Sequence, residues 1–317
     1  MRSVRQPGVG TIPRVLSGQA VALRVVGVIL CYLLVSVVLT LPILLVEEGA
    51  RAELFNSPVS EAALLVPSLG GILAVVAFTA RIDRRPVVSL GLEPRGALGR
   101  WLRGVGIAAL MMGCIVLVWY TLVDGAVWSV NADLGRAGLA LLAGLVAFLV
   151  QGPSEEILFR GYILQIVTAR WNLAWGIGIS AVLFAAAHAA NTSFGLLPMV
   201  NLVLFGVATG AYKMLIDDDQ LWGVFAIHSV WNWLQQDVFG LENSGNASPI
   251  ANTLFHVEPN RQVPDAIWGG GFGPEGTLAA TLVLLALLVR VLVHARRRWT
   301  DGDGKQVPAE TARSLRT

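Results

Sequence analysis

The sequence predicts an all-α polytopic membrane protein with about eight transmembrane helices. Of its 317 residues, 55% are hydrophobic and only 14% are charged, which is more apolar surface than a single soluble core needs. Apolar runs of about 18 to 25 residues are long enough to cross the hydrocarbon layer as helices. Eight such runs follow one another along the chain, at residues 25–46, 62–80, 104–123, 137–166, 173–192, 196–215, 220–237 and 276–294.

The charges between these runs predict how the helices are oriented. Arginines precede the first run, crowd the connection between the second and third, and follow the last run: Arg2, Arg5, Arg14, Arg24, Arg81, Arg84, Arg85, Arg95, Arg100, Arg103, Arg296, Arg297 and Arg298. With eight crossings these clusters lie on one side, which the positive-inside rule assigns to the cytoplasm. The acidic loop from Glu47 to Glu61 and the long loop 238–275 then lie outside. We therefore expect a multi-pass protein of the cell membrane with both termini in the cytoplasm.

The remaining composition restricts the partners. No basic stripe with interleaved aromatic residues is present, so nucleic acid is excluded as an expected partner, whereas membrane lipids are expected. Residues 1–24 are expected to form a cytoplasmic N-terminal segment. Residues 296–317 are polar and are expected to form a disordered cytoplasmic tail.

The fourth run carries an acidic pair, Glu155 and Glu156, in otherwise apolar surroundings. Ionisable groups at membrane depth are costly and mark functional sites. On one helix Glu156 and Arg160 are four residues apart and can form an ion pair, while Glu155 points about 100° away. We therefore expect Arg160 to hold Glu156 ionised and Glu155 to face a cavity as a general base. The alternative is a solvated cap at the cytoplasmic end of this helix.

Pro153 and Ser154 precede the acidic pair directly. Proline suits the first turn of a helix and disrupts a helix interior. A kink or a helix start near residues 152–154 is therefore expected.

Two later runs each supply a histidine. Phe184 and His188 are four residues apart near the end of the fifth run, separated by three alanines that allow close approach of another helix or a peptide. His228 and Asn232 share one face of the seventh run and can direct two hydrogen-bond donors at one developing negative charge. The alternatives are a core histidine that only makes a hydrogen bond, for His188, and an interhelical hydrogen-bonding pair, for His228 and Asn232.

The three motifs together resemble the signatures of the CAAX protease and bacteriocin-processing (CPBP) family of intramembrane endopeptidases. The family pattern is an acidic pair with an arginine four residues beyond the second acid, a phenylalanine four before a histidine, and a histidine four before an asparagine or aspartate. The resemblance covers about residues 135–240, and the stretch Arg85–Leu92 is similar to a loop that often precedes the domain. It implies a helix bundle that contains the active site and that hydrolyses peptide bonds in peptides or proteins, lipidated or not.

Carried over to this chain, the resemblance implies a role for each residue. Glu155 would activate water with the help of His188, and His228 and Asn232 would stabilise the tetrahedral oxyanion. Glu156, Arg160 and Phe184 would support the site.

The resemblance also divides the chain. Helices of 25–134 would precede a CPBP-type catalytic core of 135–240, which an outer loop and a last helix at 241–295 would follow.

Several alternatives stay open from the sequence. Zinc could be bound by Glu155, His188 and His228, although no HExxH spacing is present and a metal-independent glutamic protease without cofactor is favoured. The buried carboxylates could instead relay protons in a transporter, or the chain could be a non-catalytic membrane scaffold of the same fold.

The protease hypothesis carries two geometric expectations. It requires the carboxyl of Glu155 to lie within about two water diameters of both imidazoles, so that one water can join them. The site is expected to open toward the cytoplasm. Depth is a difficulty, because His188 lies late in its helix whereas Glu155 is expected nearer the cytoplasmic end of its own, so a broken or tilted fifth helix would be needed.

Overall fold

A computed structural model describes residues 16–46, 48–122, 127–247, 249–258 and 262–300. The predicted N-terminal segment lies outside these residues up to position 15, and so does the predicted tail from position 301. The expected disorder of residues 296–300 is wrong, because these residues form the end of the last helix. Glu47 of the acidic loop is also outside them. The described chain is all-α, as predicted, apart from one two-stranded ribbon.

Eight helical segments of the described chain coincide with the eight predicted spans. They are α1 Gly18–Leu44; α3 Leu65–Ala77, with Ser60–Leu64 and Phe78–Ile82 as its irregular ends; α4 Ala97–Leu122; α5 Leu134–Glu156, continued by Ile157–Ile163 and α6 Leu164–Arg170; α7 Leu173–Ala187; α8 Leu196–Leu215; α9 Trp222–Trp233, continued by Leu234–Val238; and α11 Leu278–Thr300. Two short helices, α2 Glu48–Asn56 and α10 Asp265–Trp268, lie in the connections.

Six of the eight segments are long and apolar enough to cross a membrane. The two shorter segments are α7, with 15 residues, and the α9 segment, whose α-helical part has 12. Every residue of α9 from Gly223 to Asn232 is buried, so this helix is surrounded by protein. The protein is therefore a multi-pass membrane protein whose central helices need not each span the full bilayer.

The bundle has a centre and two flanks. Helices α5, α7, α8 and α9 pack together in the centre, with α1 and α3 against one side and α4 and α11 against the other. Large apolar side chains of the flanks point away from the protein; Leu34, Leu73 and Leu110 are 65%, 66% and 69% exposed. Such a continuous apolar exterior fits contact with lipid.

The two ends of the bundle differ in charge and in the loops and short elements that lie over them. The loop end carries α2, the ribbon and the connection 238–275, and the arginine end carries the connections 83–96, 171–172 and 216–221 and the end of α11. Strand β1 (Val127–Val130) pairs antiparallel with β2 (Phe255–Glu258). Amide side chains hold the long connection in place: the amide of Asn252 donates to the Ser57 carbonyl at 2.7 Å, and that of Asn191 to the Ser244 carbonyl at 2.9 Å.

The irregularity expected around Pro153 takes a different form. Helix α5 runs through Pro153 without ending, so the expected helix start at 152–154 is wrong. The backbone instead widens into a π-helical turn over Ile157–Ile163, immediately after the acidic pair. Such turns occur often at functional sites.

Close packing of α7 on α8 depends on a glycine. A Cβ added at Gly206 would lie 2.7 Å from the Cα and Cβ of Ala181, whereas a Cβ at Gly178 of α7 would meet nothing within 4 Å. We predict that Gly206→Ala forces the helices apart and lowers the free energy of unfolding by about 1–3 kcal/mol. Thermal unfolding of the purified protein in detergent measures this, with Gly178→Ala as the matched control. Equal Tm values for the two variants would contradict the close contact.

Candidate active site

Three side chains from three helices meet at one point in the bundle. The Oε2 atom of Glu155 on α5 lies 3.9 Å from Nε2 of His188, at the end of α7, and 4.0 Å from Nε2 of His228 on α9. Both separations are within the reach of one bridging water. The structure therefore meets the distance that the protease hypothesis requires.

Glu156 makes the buried contacts that hold these helices together. Its Oε1 lies 3.1 Å from a guanidinium nitrogen of Arg160 and 2.8 Å from Nδ1 of His228. Both Glu156 and Arg160 are fully buried. The expected i,i+4 ion pair is thus present, and the alternative of a solvated helix cap is wrong.

Phe184 packs at the centre of this arrangement. The Arg160 guanidinium carbon lies 4.2 Å above its ring, a cation–π distance. The rings of His188 and His228 lie 4.8 and 5.9 Å from it, and Phe205 of α8 stacks on it at 5.8 Å. The aromatic side chain thus fixes both imidazoles and covers the buried arginine.

Hydrogen bonds at Nδ1 determine which nitrogen of each imidazole faces the site. Nδ1 of His188 is 2.9 Å from the Phe184 carbonyl, which only accepts hydrogen bonds, so this nitrogen carries the proton. Nδ1 of His228 likewise donates to the Glu156 carboxylate. In neutral rings both Nε2 atoms are therefore acceptors, and both face the acceptor Oε2 of Glu155, which is buried without a hydrogen-bond partner. Three acceptors around one point create a place for a water that donates hydrogen bonds or for a proton.

Gln151, which the sequence analysis did not single out, joins Glu155 to Asn232. Its side-chain amide donates to Oε1 of Glu155 and accepts from Nδ2 of Asn232 at 3.1 Å. His228 and Asn232 therefore do form interhelical hydrogen bonds, as the alternative proposed, but with α5. Gln151 lies one turn before Glu155, a spacing that was available as a signal.

The expected difference in depth is absent. Glu155 lies 170 − 155 = 15 residues before the end of α6, and His188 lies 188 − 173 = 15 residues after the start of α7. Because the two helices are antiparallel about the turn at 171–172, both residues stand at the same level. No broken fifth helix is needed, because the fourth segment extends to Arg170 and α7 ends at Ala187, directly before His188.

The site lies at the bottom of a cavity of about 680 Å³. Its wall includes Phe148, Asn201, Trp231 and Leu284 together with the site residues, and its exposed lining residues are Phe55, Asn56, Asn246 and Ala247. These four lie at the loop end. The cavity therefore opens at the end opposite to the arginine clusters, which conflicts with the expected opening toward the cytoplasm.

Glu275 is a third glutamate in the cavity wall besides Glu61 and Glu155, and sequence reasoning missed it. Its carboxylate accepts from the hydroxyl of Ser244 at 2.5 Å and from the indole N–H of Trp231 at 3.2 Å. Burial raises the pKa of the Glu275 carboxyl above its ordinary value, an effect that these hydrogen bonds and the two imidazoles oppose. Glu275 lies two residues after Gly273. The φ of Gly273 is 89°, and a Cβ at this position would collide with the Glu242 carbonyl, so only glycine fits.

The three residues considered for zinc lie slightly farther apart than the ligands of a bound ion would. Donors at 2.0–2.2 Å from a tetrahedral zinc lie about 3.5 Å apart, whereas Glu155 Oε2 is 3.9 and 4.0 Å from the two imidazoles. No group of three or more potential metal ligands occurs within the described residues.

Comparison with known proteins agrees with this arrangement. Residues 137–234 match the family model of the Rce1-like type II CAAX prenyl endopeptidases. Over this part, about a third of the chain, the protein is similar to a CAAX-type prenyl endopeptidase domain. The resemblance expected from the three motifs is thereby confirmed, and the matched residues include every residue predicted for the site. No curated protein matched the chain. The individual roles of the site residues stay predictions.

Removal of the Glu156 charge should damage the protein more than removal of an exposed charge. We predict that Glu156→Gln leaves Arg160 as an uncompensated buried cation and lowers the free energy of unfolding by about 3–5 kcal/mol. Thermal unfolding and the yield of monodisperse protein measure this, with Glu48→Gln on the exposed face of α2 as control.

A double variant separates charge from shape. Glu156→Gln combined with Arg160→Met removes both buried charges and should recover part of the lost stability. A double variant less stable than Glu156→Gln alone would contradict the predicted balance of charges.

Proposed function

We propose that this protein is an intramembrane endopeptidase that hydrolyses a peptide bond with water activated by Glu155 and His188. The observation that carries the proposal is the approach of Glu155 Oε2 to both imidazoles, at 3.9 and 4.0 Å. A water placed between Glu155 and His188 donates one hydrogen bond to each. When its oxygen attacks the carbonyl carbon, its proton passes to one of these two acceptors. The same proton then goes to the nitrogen of the leaving amine as the carbon–nitrogen bond breaks.

The oxyanion is assigned to His228 and Asn232. The Glu156 carboxylate holds Nδ1 of His228, so that Nε2 faces the cavity, and in this proposal Nε2 carries a proton that it donates to the oxyanion. The amide of Asn232 uses one N–H for Gln151 and has a second for the substrate. Nδ1 of His188 donates to the Phe184 carbonyl, which leaves Nε2 of this ring to accept the proton of the water. The two histidines are thereby given different tasks.

Glu156, Arg160 and Phe184 act as positioning residues in this proposal. They do not reach the reacting atoms, since Glu156 and Arg160 are fully buried beneath the cavity floor. Preorganised donors are effective only when their neighbours prevent them from moving. The ion pair and the aromatic packing supply that restraint.

The substrate class is a peptide or protein, with or without a lipid, that reaches the site in contact with membrane lipids. We place the protein in the cell membrane, with both termini in the cytoplasm, because of the arginine distribution. The mechanism is proposed as metal-independent, with a zinc enzyme using Glu155, His188 and His228 as the alternative.

Loss of the Glu155 carboxylate should abolish hydrolysis without unfolding the protein. We predict that Glu155→Gln lowers kcat/KM by a factor of about 10² to 10⁴, because the general base is lost while the shape and the hydrogen bond to Gln151 remain possible. Cleavage of a panel of fluorogenic peptides by purified protein measures this. Glu53→Gln on exposed α2 serves as control, and the Tm of both variants should match that of the parent. Hydrolysis that is unchanged in Glu155→Gln would eliminate the proposed role of Glu155.

Chelation separates the two mechanisms. We predict that activity persists after dialysis against EDTA and does not increase when Zn²⁺ is added back, because the carboxylate and imidazole of Glu155 and His188 can activate water themselves. The same peptide assay measures this, alongside the metal content of the protein. Activity lost in EDTA and restored by Zn²⁺ would favour the zinc alternative.

A further inference from the structure

The cavity that contains the site has a defined direction in the bundle. Its floor is formed by Glu155, His188 and His228. Beyond this floor, toward the arginine end, the fully buried Arg160 and Tyr162 close the bundle. The exposed lining residues all lie on α2 or the connection 238–275, at the loop end.

The positive charges of the chain lie at the other end. The arginine end carries Arg24, Arg81, Arg84, Arg85, Arg95, Arg100, Arg103, Arg170, Lys213, Arg296 and Arg297 within the described residues. Among the same described residues, the loop end has only Arg51 and Arg136. The bias falls in short connections next to helix ends, which is where positive charge determines orientation.

The direction of the cavity and the distribution of positive charges together indicate the side of the membrane from which the site is reached. We infer that the cavity opens to the extracytoplasmic face of the membrane, and that its substrates are polypeptide segments exposed on that face. Such segments belong to exported peptides or to the outer juxtamembrane regions of membrane proteins. The inference about substrates rests on the proposed function, whereas the inference about orientation does not. A prenylated tail at the inner leaflet would meet the closed arginine end.

The lining of the cavity also bears on how the substrate is presented. Among its described lining residues are three glutamates, Glu61, Glu155 and Glu275, and neither lysine nor arginine. A guanidinium or an ammonium group can bind a free C-terminal carboxylate by charge, and the described lining offers neither. We therefore expect recognition that does not depend on a free C-terminal carboxylate, as for an internal segment.

The orientation is tested by thiol labelling, which does not depend on catalysis. Cys31 and Cys114, the free cysteines, are replaced by serine. Asn246→Cys at the cavity mouth and Gly99→Cys at the arginine end are then introduced singly; both positions are exposed, and Gly99 has open space around it. In intact spheroplasts a membrane-impermeant maleimide should label the Asn246→Cys variant fully and the Gly99→Cys variant only after lysis. The reverse pattern would overturn the inference.

The substrate class is tested with a single-span reporter protein that carries one cleavable segment on either side of the membrane. Cleavage of the outer segment that disappears with Glu155→Gln supports the inference. Cleavage of the inner segment overturns it. If neither segment is cut while the labelling pattern is as expected, the orientation stands and the result counts against the proposed function.

The mode of presentation is tested with purified protein and a pair of peptides that differ only in a free or an amidated C-terminus. Amidation is expected to leave kcat/KM unchanged. A loss of about tenfold or more on amidation, equivalent to about 1.4 kcal/mol, would overturn the assignment to internal segments.

Discussion

The structure depends on one buried carboxylate. Glu156 contacts Arg160 within its own helical segment and His228 on α9, and Arg160 in turn lies under Phe184 of α7. Separating the partners of a buried charge pair leaves an uncompensated charge in the core, which is strongly destabilising. The three motif-bearing helices therefore have a narrow range of acceptable positions. Any displacement of α7 or α9 would uncover the arginine or remove the acceptor of the histidine.

The neighbouring carboxylate has the opposite environment. Glu155 directly precedes Glu156, and one step along the helix turns its side chain about 100° away from that of Glu156. Glu155 therefore points into the cavity, where its Oε2 has no hydrogen-bond partner. Glu156 thus holds neighbouring helices together, while Glu155 faces the cavity. Adjacent residues have different environments because the helix directs one side chain into packed protein and the other into the cavity.

Local rules accounted for much of this arrangement. The hydrophobic runs predicted all eight helical segments, and the four-residue spacing predicted the ion pair of Glu156 with Arg160, because both depend on residues close in sequence. Gln151 was accessible to the same rule but was not considered. Glu275 was not accessible, since its place near the imidazoles depends on the folding of the long connection 238–275. The assumed depth of Glu155 was wrong because the length of the fourth segment beyond the π-helical turn could not be determined from hydrophobicity alone.

The direction of the cavity shows most clearly what sequence alone lacks. The arginines indicated which end of the bundle faces the cytoplasm, but nothing in the motifs indicated toward which end the site opens. The direction of opening depends on whether large side chains fill the space between the helix ends or leave it open. At the arginine end Arg160 and Tyr162 fill the space, while at the loop end the wall includes several amides, among them Asn56, Asn191 and Asn243. Uncharged amides hydrogen-bond both water and peptide without a net charge to desolvate. A wall of this kind lets water and an extended backbone descend to a carboxylate that the bilayer would otherwise isolate.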